Sequence, residues 1–222
     1  SYNVKVDRLA EGVKAVSSGR ISGEKPDTSN IANQFNLSKP VKDEEKIQFK
    51  LESGEKAVTV KFDFDADEKV SYSDKGHVII IKPDSANMND LSRAINNVKF
   101  EDKEGNITGT LGLKASYDSD IDRFFLQTEA TGEKATLSIG AVDDSEVGRN
   151  AGATSTAGEE FLKNTLKLNV THTGTNNKRY TVGLTTGTTY NGQDSSINFD
   201  GAENIEMSTN QFTINGIDFS LK

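Results

Sequence analysis

Residues 191–222 read NGQDSSINFDGAENIEMSTNQFTINGIDFSLK, and this stretch decides the fold class. Ile197 and Phe199 alternate with polar neighbours up to Asp200-Gly201, and Ile205 and Met207 alternate again. Phe212 and Ile214 then lead into Asn215-Gly216, before Ile217, Phe219 and Leu221. Side chains of a strand point to opposite faces in turn, so each run has one apolar and one polar face. Asx-Gly is the strongest short hairpin signal, because both central residues of a type I′ turn need positive φ. The stretch predicts a small β-meander with type I′ turns at Asp200-Gly201 and Asn215-Gly216.

Working outward, the period of two recurs over most of the chain. Val4 and Val6 predict a first strand, and Val13 and Val16 a weaker second one. Ser17 to Pro40, rich in Ser, Gly, Asn and Pro, reads as a loop or crossover. Ile47, Phe49 and Leu51, a turn at 53–56, then Val58, Val60, Phe62 and Phe64 predict a hairpin with one polar face. Val78-Ile79-Ile80-Ile81 is continuously apolar and ends before Pro83, which predicts a central strand covered on both sides. Met88, Leu91, Ile95 and Val98 fall at helical spacing behind an Asn87 N-cap and Asp90. Strands follow around Leu111–Ala115, Phe124–Leu126 and Leu137–Ile139. Thr156 and Glu159 predict a capping box for a second short helix through Leu166, and Gly148–Gly158 reads as a loop. Leu166–Val170 and Tyr180–Leu184 complete the β pattern.

The 222 residues fit one large or two modest domains, which bury roughly 70% of the extended surface on folding. Hydrophobic residues make up 33% and charged residues 27%, with a mean hydropathy of −0.59, so each element has enough apolar surface to bury only one face. The formal charge of −8 repels nucleic acid and anionic lipid. With no Cys, disulfides, Cys-based zinc and thiol nucleophiles are all excluded. No apolar run approaches the ~20 residues of a bilayer span, and no leader pattern is present, so neither nucleic acid nor membrane insertion is expected.

Five motifs together resemble the FliD family of flagellar filament cap proteins, also called hook-associated protein 2. Gly192-Gln193-Asp194-Ser195 with Ile197, Phe199 and Gly201 resembles that family's "GQDA-x-I-x-F-x-G", with Ser195 in place of the usual Ala. Gln211-Phe212-Thr213-Ile214-Asn215-Gly216-Ile217 through Leu221-Lys222 resembles "TFTINGI-x-L-x-LK". Tyr2, Val4, Val6 and Leu9-Ala10 resemble "Y-x-V-x-V-x-x-LA". Leu91 to Asn96 resembles "L-x-x-A-I-N", and Ala115-Ser116-Tyr117-Asp118 with Asp122-Arg123-Phe124, Leu126 and Thr128 resembles "A-x-YD … DRF-x-L-x-T". The family-like ends bracket a middle with its own elements. The expected fold is mainly β (α+β), two β-rich domains with one or two short helices. Residues 1–38 and 183–222 are expected to build a discontinuous head domain, into which a domain of residues 39–182 is inserted, with helices near 88–98 and 158–166. The chain reads as a head fragment, the family's helical ring-forming and anchoring regions lying outside it.

No pattern of reactive residues competes with a structural role. Asp63, Asp65 and Asp67 have the spacing that opens an EF-hand loop, but Glu68 stands at position six and Asp74 at position twelve. They fit the solvated face of the strand carrying Phe62. Asp118, Asp120 and Asp122 fail likewise, with Arg123 at position six, and read as a turn. His77 and His172 lie far apart without H-x-x-x-H or H-E-x-x-H, and no G-x-S-x-G exists. Thr181–Gly192 lacks the Lys of a phosphate-binding loop. No catalytic, cofactor or metal residue is expected.

The resemblance implies a structural protein at the distal tip of an extracellular flagellum, promoting flagellin polymerisation and preventing loss of unpolymerised subunits. Its implied partners are other copies of itself, in a ring, and flagellin. The alternatives are an outer variable domain of a flagellin, or a surface adhesin module binding host mucin or glycan.

Overall fold

The computed structural model describes residues 2–222 and is mostly β, as the alternation predicts. Its first strands are β1 (Val4–Arg8), β2 (Lys14–Ser17), β3 (Gln48–Ser53), β4 (Lys56–Phe62), β5 (Val70–Ser73), β6 (Val78–Ile81), β7 (Phe100–Glu101), β8 (Ile107–Gly109) and β9 (Leu113–Asp118). They are followed by β10 (Arg123–Thr128), β11 (Thr136–Ile139), β12 (Leu168–Thr173), β13 (Arg179–Gly183), β14 (Thr189–Asn191), β15 (Ser195–Phe199), β16 (Ala202–Met207), β17 (Gln211–Ile214) and β18 (Ile217–Ser220). The helices are α1 (Ile31–Phe35), α2 (Met88–Asn96), α3 (Glu146–Asn150) and α4 (Thr156–Glu160), the last widening into a π-helical turn over Phe161–Thr165.

A large curled sheet runs β5-β6-β4-β3-β11-β14-β12-β2-β10-β9, with β13 paired to β12. A small sheet runs β1-β15-β16, and β17-β18 forms a separate hairpin. The expected meander is thus two hairpins. Asp200-Gly201 (φ 48° and 91°) and Asn215-Gly216 (φ 50° and 75°) do make two-residue turns with positive φ at both positions. β16 and β17 do not pair, because residues 208–210 between them are held elsewhere. Thr131 Oγ1 donates to the Ser208 carbonyl (2.7 Å), Ser195 Oγ to the Thr209 carbonyl (3.1 Å), and the Asn210 side chain bonds Ala10. Sheet membership does not follow the expected division of the chain either. β2, on the 1–38 side, and β14, on the 183–222 side, both belong to the large sheet.

The core fills the inner face of the curl. Phe49, Leu51, Leu91, Ile95, Leu126 and Leu137 are buried there, and Phe161 meets Phe35, Phe49 and Phe62 at ring-centroid distances of 5.7, 6.2 and 5.1 Å. α2 forms as its capping box predicts. Asn87 accepts from the Asp90 backbone (3.0 Å) and Asp90 reaches back to the Asn87 N–H (3.0 Å). The helix lies against β9 and β5, the two ends of the ten-strand path of the large sheet. Asn96 donates to the Ala115 carbonyl (2.8 Å) and accepts from its N–H (2.6 Å), while Tyr72 of β5 donates to the Ala94 carbonyl (2.9 Å).

Several local expectations are corrected. The 47–64 hairpin does not have one polar face, because Gln48 and Thr59 are buried under residues 148–155. Thr59 Oγ1 donates to the Gly152 carbonyl (3.0 Å), and Gln48 Nε2 to those of Ala153 (2.6 Å) and Arg149 (3.1 Å). The Gly148–Gly158 loop thereby holds part of α3 and the start of α4. β6 is an interior strand, parallel to β4, yet only Ile79 and Ile81 are fully buried while Val78 and Ile80 are half-buried. Ser155, not Thr156, caps α4, accepting from the Gly158 N–H (2.9 Å), because Thr156 already donates to Asp144. The 17–40 crossover carries α1, capped by Asn30 and ended by Asn36 in the left-handed region (φ 52°).

That crossover is fastened through Asp122, which is 1% exposed at φ 54°. Its carboxylate accepts from the Ser22 N–H, Ser22 Oγ and Tyr117 hydroxyl, each at 2.8 Å, and faces Arg20 at 3.7 Å. Burial pushes the carboxyl pKa up, but these donors outweigh it and hold the value below the usual range.

Two outcomes follow from these contacts. Asn96→Ala, which leaves Ala115 of the β9 edge without its surrogate partner, lowers unfolding free energy by about 1–2 kcal/mol in urea titration, with the m-value unchanged. A depressed folded pKa means that the Asp122 contribution is full above 3.8, the ordinary value, and is lost as pH falls through the lower folded value. The stability gap between the parent and Asp122→Asn therefore closes as denaturation is repeated from neutral pH down to strong acid.

Candidate functional site

The motif residues of the two chain ends meet at one place, where the chain crosses between the small and the large sheet. It crosses at residues 9–11 and returns at residues 192–195, side by side. Glu11 and Gln193 form an isolated antiparallel bridge, with N···O distances of 2.9 and 2.8 Å. Gln193 Nε2 donates to the Leu9 carbonyl (2.9 Å). The Asn210 amide pairs with the backbone of Ala10 in both directions, accepting from its N–H (2.7 Å) and donating to its carbonyl (3.0 Å). Asp194 Oδ1 accepts from the Glu133 N–H (2.8 Å), and Arg8 Nε donates to the Asp194 carbonyl (3.0 Å) while its guanidinium pairs with Glu206. Ser195 Oγ spans the Met207 and Thr209 carbonyls at 3.1 Å each.

Glycine makes the crossing possible. A Cβ on Gly192 would lie 2.3 Å from the Glu11 carbonyl oxygen and 2.5 Å from that of Gly132, both backbone atoms that cannot swing away. Gly132 (φ 97°) would meet Ser208 Cα at 2.9 Å. Three backbones thus touch without intervening side chains. A groove of about 450 Å³ runs alongside, lined by Arg8, Glu133, Thr173–Thr175, Asn191–Asp194 and Glu206 among others. Its lining combines amides, main-chain atoms, threonine hydroxyls, the Arg8–Glu206 ion pair and the carboxylates of Glu133 and Asp194.

The sequence candidates for metal or catalytic chemistry lie elsewhere and apart. β4 ends at Phe62, so Asp63, Asp65 and Asp67 occupy a turn rather than a strand face. Asp63 accepts from the Asp65 N–H (2.9 Å), and Asp65 pairs with Lys39 (2.6 Å). Asp118 closes the turn before β10 by accepting from the Asp120 N–H (2.9 Å), and Asp122 is committed to the Ser22 and Tyr117 network. His77 stacks on Phe100 (4.6 Å) and His172 meets Tyr190 edge-on (5.0 Å), so the structure does not bring the histidines together. Among the described residues, no three or more of His, Asp and Glu are grouped to hold a metal ion. No helix among them is long and apolar enough to cross a membrane. A second hollow, of about 490 Å³, has Phe62, Phe64 and Phe161 in its lining, with Val41 on its rim 94% exposed. The exposed tyrosines, Tyr2, Tyr72 and Tyr180, lie beside β1, on β5 and on β13, and not as a pair on one loop cluster.

No family model matches the chain, and no curated protein matches it. Among solved structures it is similar to the crystal structure of the flagellar cap protein FliD from Helicobacter pylori, at 12% sequence identity and a TM-score of 0.32. The alignment covers 83% of this chain and 40% of that one.

Sequence reasoning singled out Gln193, Asp194 and Ala10 through the family resemblance, but not Asn210, Gly132 or Glu133. Asn210 precedes the quoted motif by one residue and carries no local signal, since its partner is 200 positions away. Asn210→Ala orphans both buried main-chain groups of Ala10, at a cost of about 1–3 kcal/mol in chemical denaturation. Gly192→Val, which forces backbone apart, exceeds that cost in the same assay, or leaves the protein insoluble.

Proposed function

We propose that this chain is the head region of a bacterial flagellar filament cap protein, a structural part at the distal end of the filament with no catalytic role. The observation that carries the reading is that the residues behind the family resemblance perform the structural tasks of the fold. Leu9, Ala10, Gln193, Asp194 and Ser195 make the crossing between the sheets. Asn96 ties α2 to β9, and Tyr117 with Asp122 holds the crossover. Motifs retained for such contacts describe a shared scaffold and not a shared reaction.

In this reading the work is mechanical. A double crossing fastened by glycine contacts and amide pairs gives the two sheets a fixed relative orientation. Other copies of the chain and flagellin are the partners.

Immunogold microscopy of the source bacterium, with antibodies raised against this chain, tests the proposal. Gold at filament tips is the expected result. Gold along the shaft overturns it in favour of a flagellin outer domain, and gold on the cell body alone in favour of an adhesin.

A further inference from the structure

β13 is an uncovered edge. It pairs with β12 on one side only, and four of its five residues are exposed, with Tyr180 at 42% and Val182 at 40%. Two hydrogen bonds fix which of its main-chain groups are free: Gly174 N–H to the Lys178 carbonyl (2.9 Å) and Leu184 N–H to the Leu168 carbonyl (3.1 Å). In an antiparallel ladder, bonded and non-bonded pairs alternate. Tyr180 and Val182 therefore bond inward to β12, and the N–H and C=O groups of Arg179, Thr181 and Gly183 point away from the sheet. The devices that usually blunt such an edge are missing: Arg179–Gly183 contains no Pro, and its one charge is drawn inward, the Arg179 guanidinium binding the Gly12 carbonyl (2.8 Å) and Glu11 (3.2 Å).

We infer that β13 pairs antiparallel with β13 of a second copy of this chain, across a two-fold axis through Thr181. The segment is self-complementary in that register and in no way that requires a like-charge contact. Thr181 faces Thr181 of the second copy, and Arg179 faces Gly183. These are the residues whose groups point outward, so roughly six main-chain hydrogen bonds form from three mutually exchanging pairs. Tyr180 faces Val182 in the closely spaced positions, twice, an aromatic against β-branched pair of the kind that stabilises adjoining strands. Both lie on the face shared with buried Val170, so the pairing also extends the inner apolar face of the large sheet from one copy into the next. Such a contact closes on itself as a pair and is small, so its association is weak. It rests on this edge alone and is independent of the flagellar reading.

Sedimentation velocity of the purified chain over about 10 μM to about 1 mM reads the equilibrium. The parent is expected to shift from monomer to dimer across that range. Thr181→Lys and Thr181→Glu each place like charges opposite one another on the axis and are expected to weaken dimerisation by about tenfold, whereas their equimolar mixture restores it. Thr181 is exposed and loses only its 2.8 Å contact with Thr171 Oγ1, and circular dichroism confirms that both variants fold. A parent that stays monomeric throughout, a dimer indifferent to both charges, or a mixture that fails to recover overturns the inference.

Discussion

The large sheet depends on α2. The ten-strand path ends at β5 and β9, and a strand left bare at either end would present unpaired main-chain groups to solvent. Here both ends reach the same nine-residue helix. The Asn96 side chain presents a donor and an acceptor to Ala115 of β9, standing in for the strand that is not there, while Tyr72 of β5 reaches the last turn of the helix from the other side. Leu91 and Ile95 fill the curl beneath. One short helix thus covers both ends of the path, and β13, paired to β12 alone, is the edge left open.

The crossing between the sheets solves a different problem with the same chemistry. Two strands must leave the small sheet and two must enter the large one within a space that admits no side chain. Gly192 and Gly132 supply the room, and the side-chain amides of Gln193 and Asn210 satisfy main-chain groups that neither sheet can reach. In both places a carboxamide substitutes for a missing peptide. Its carbonyl oxygen and one of its two N–H groups stand in for a peptide's acceptor and donor, at no cost in charge.

Fold class was legible because strand alternation is a local pattern. Ile197 and Phe199, or Phe49 and Leu51, show it within five residues, and Asx-Gly turns announce themselves. Burial of the second face was not legible. Gln48 and Thr59 look solvent-facing beside their apolar neighbours, and only the arrival of Gly152 and Ala153, roughly a hundred positions later, covers them. Asp122 was read as an ordinary turn residue for the same reason, since its partner Ser22 lies 100 positions earlier. The crossing was half legible: the resemblance pointed to Gln193 and Asp194, while Asn210, which completes it, has no signature that distinguishes it from any other polar loop residue.

The adjacency of Glu11 and Gln193 has a consequence for how such a chain can change. Everything between them leaves and returns through one doorway, a single pair of bridged residues wide. Strands β2 to β14 could be lengthened, trimmed or exchanged with little displacement of the small sheet, provided that residues 131–133, which hold Asp194 and Ser208, are kept. The doorway is therefore a natural insertion point. It separates a part of the molecule free to diversify from a part obliged to stay the same.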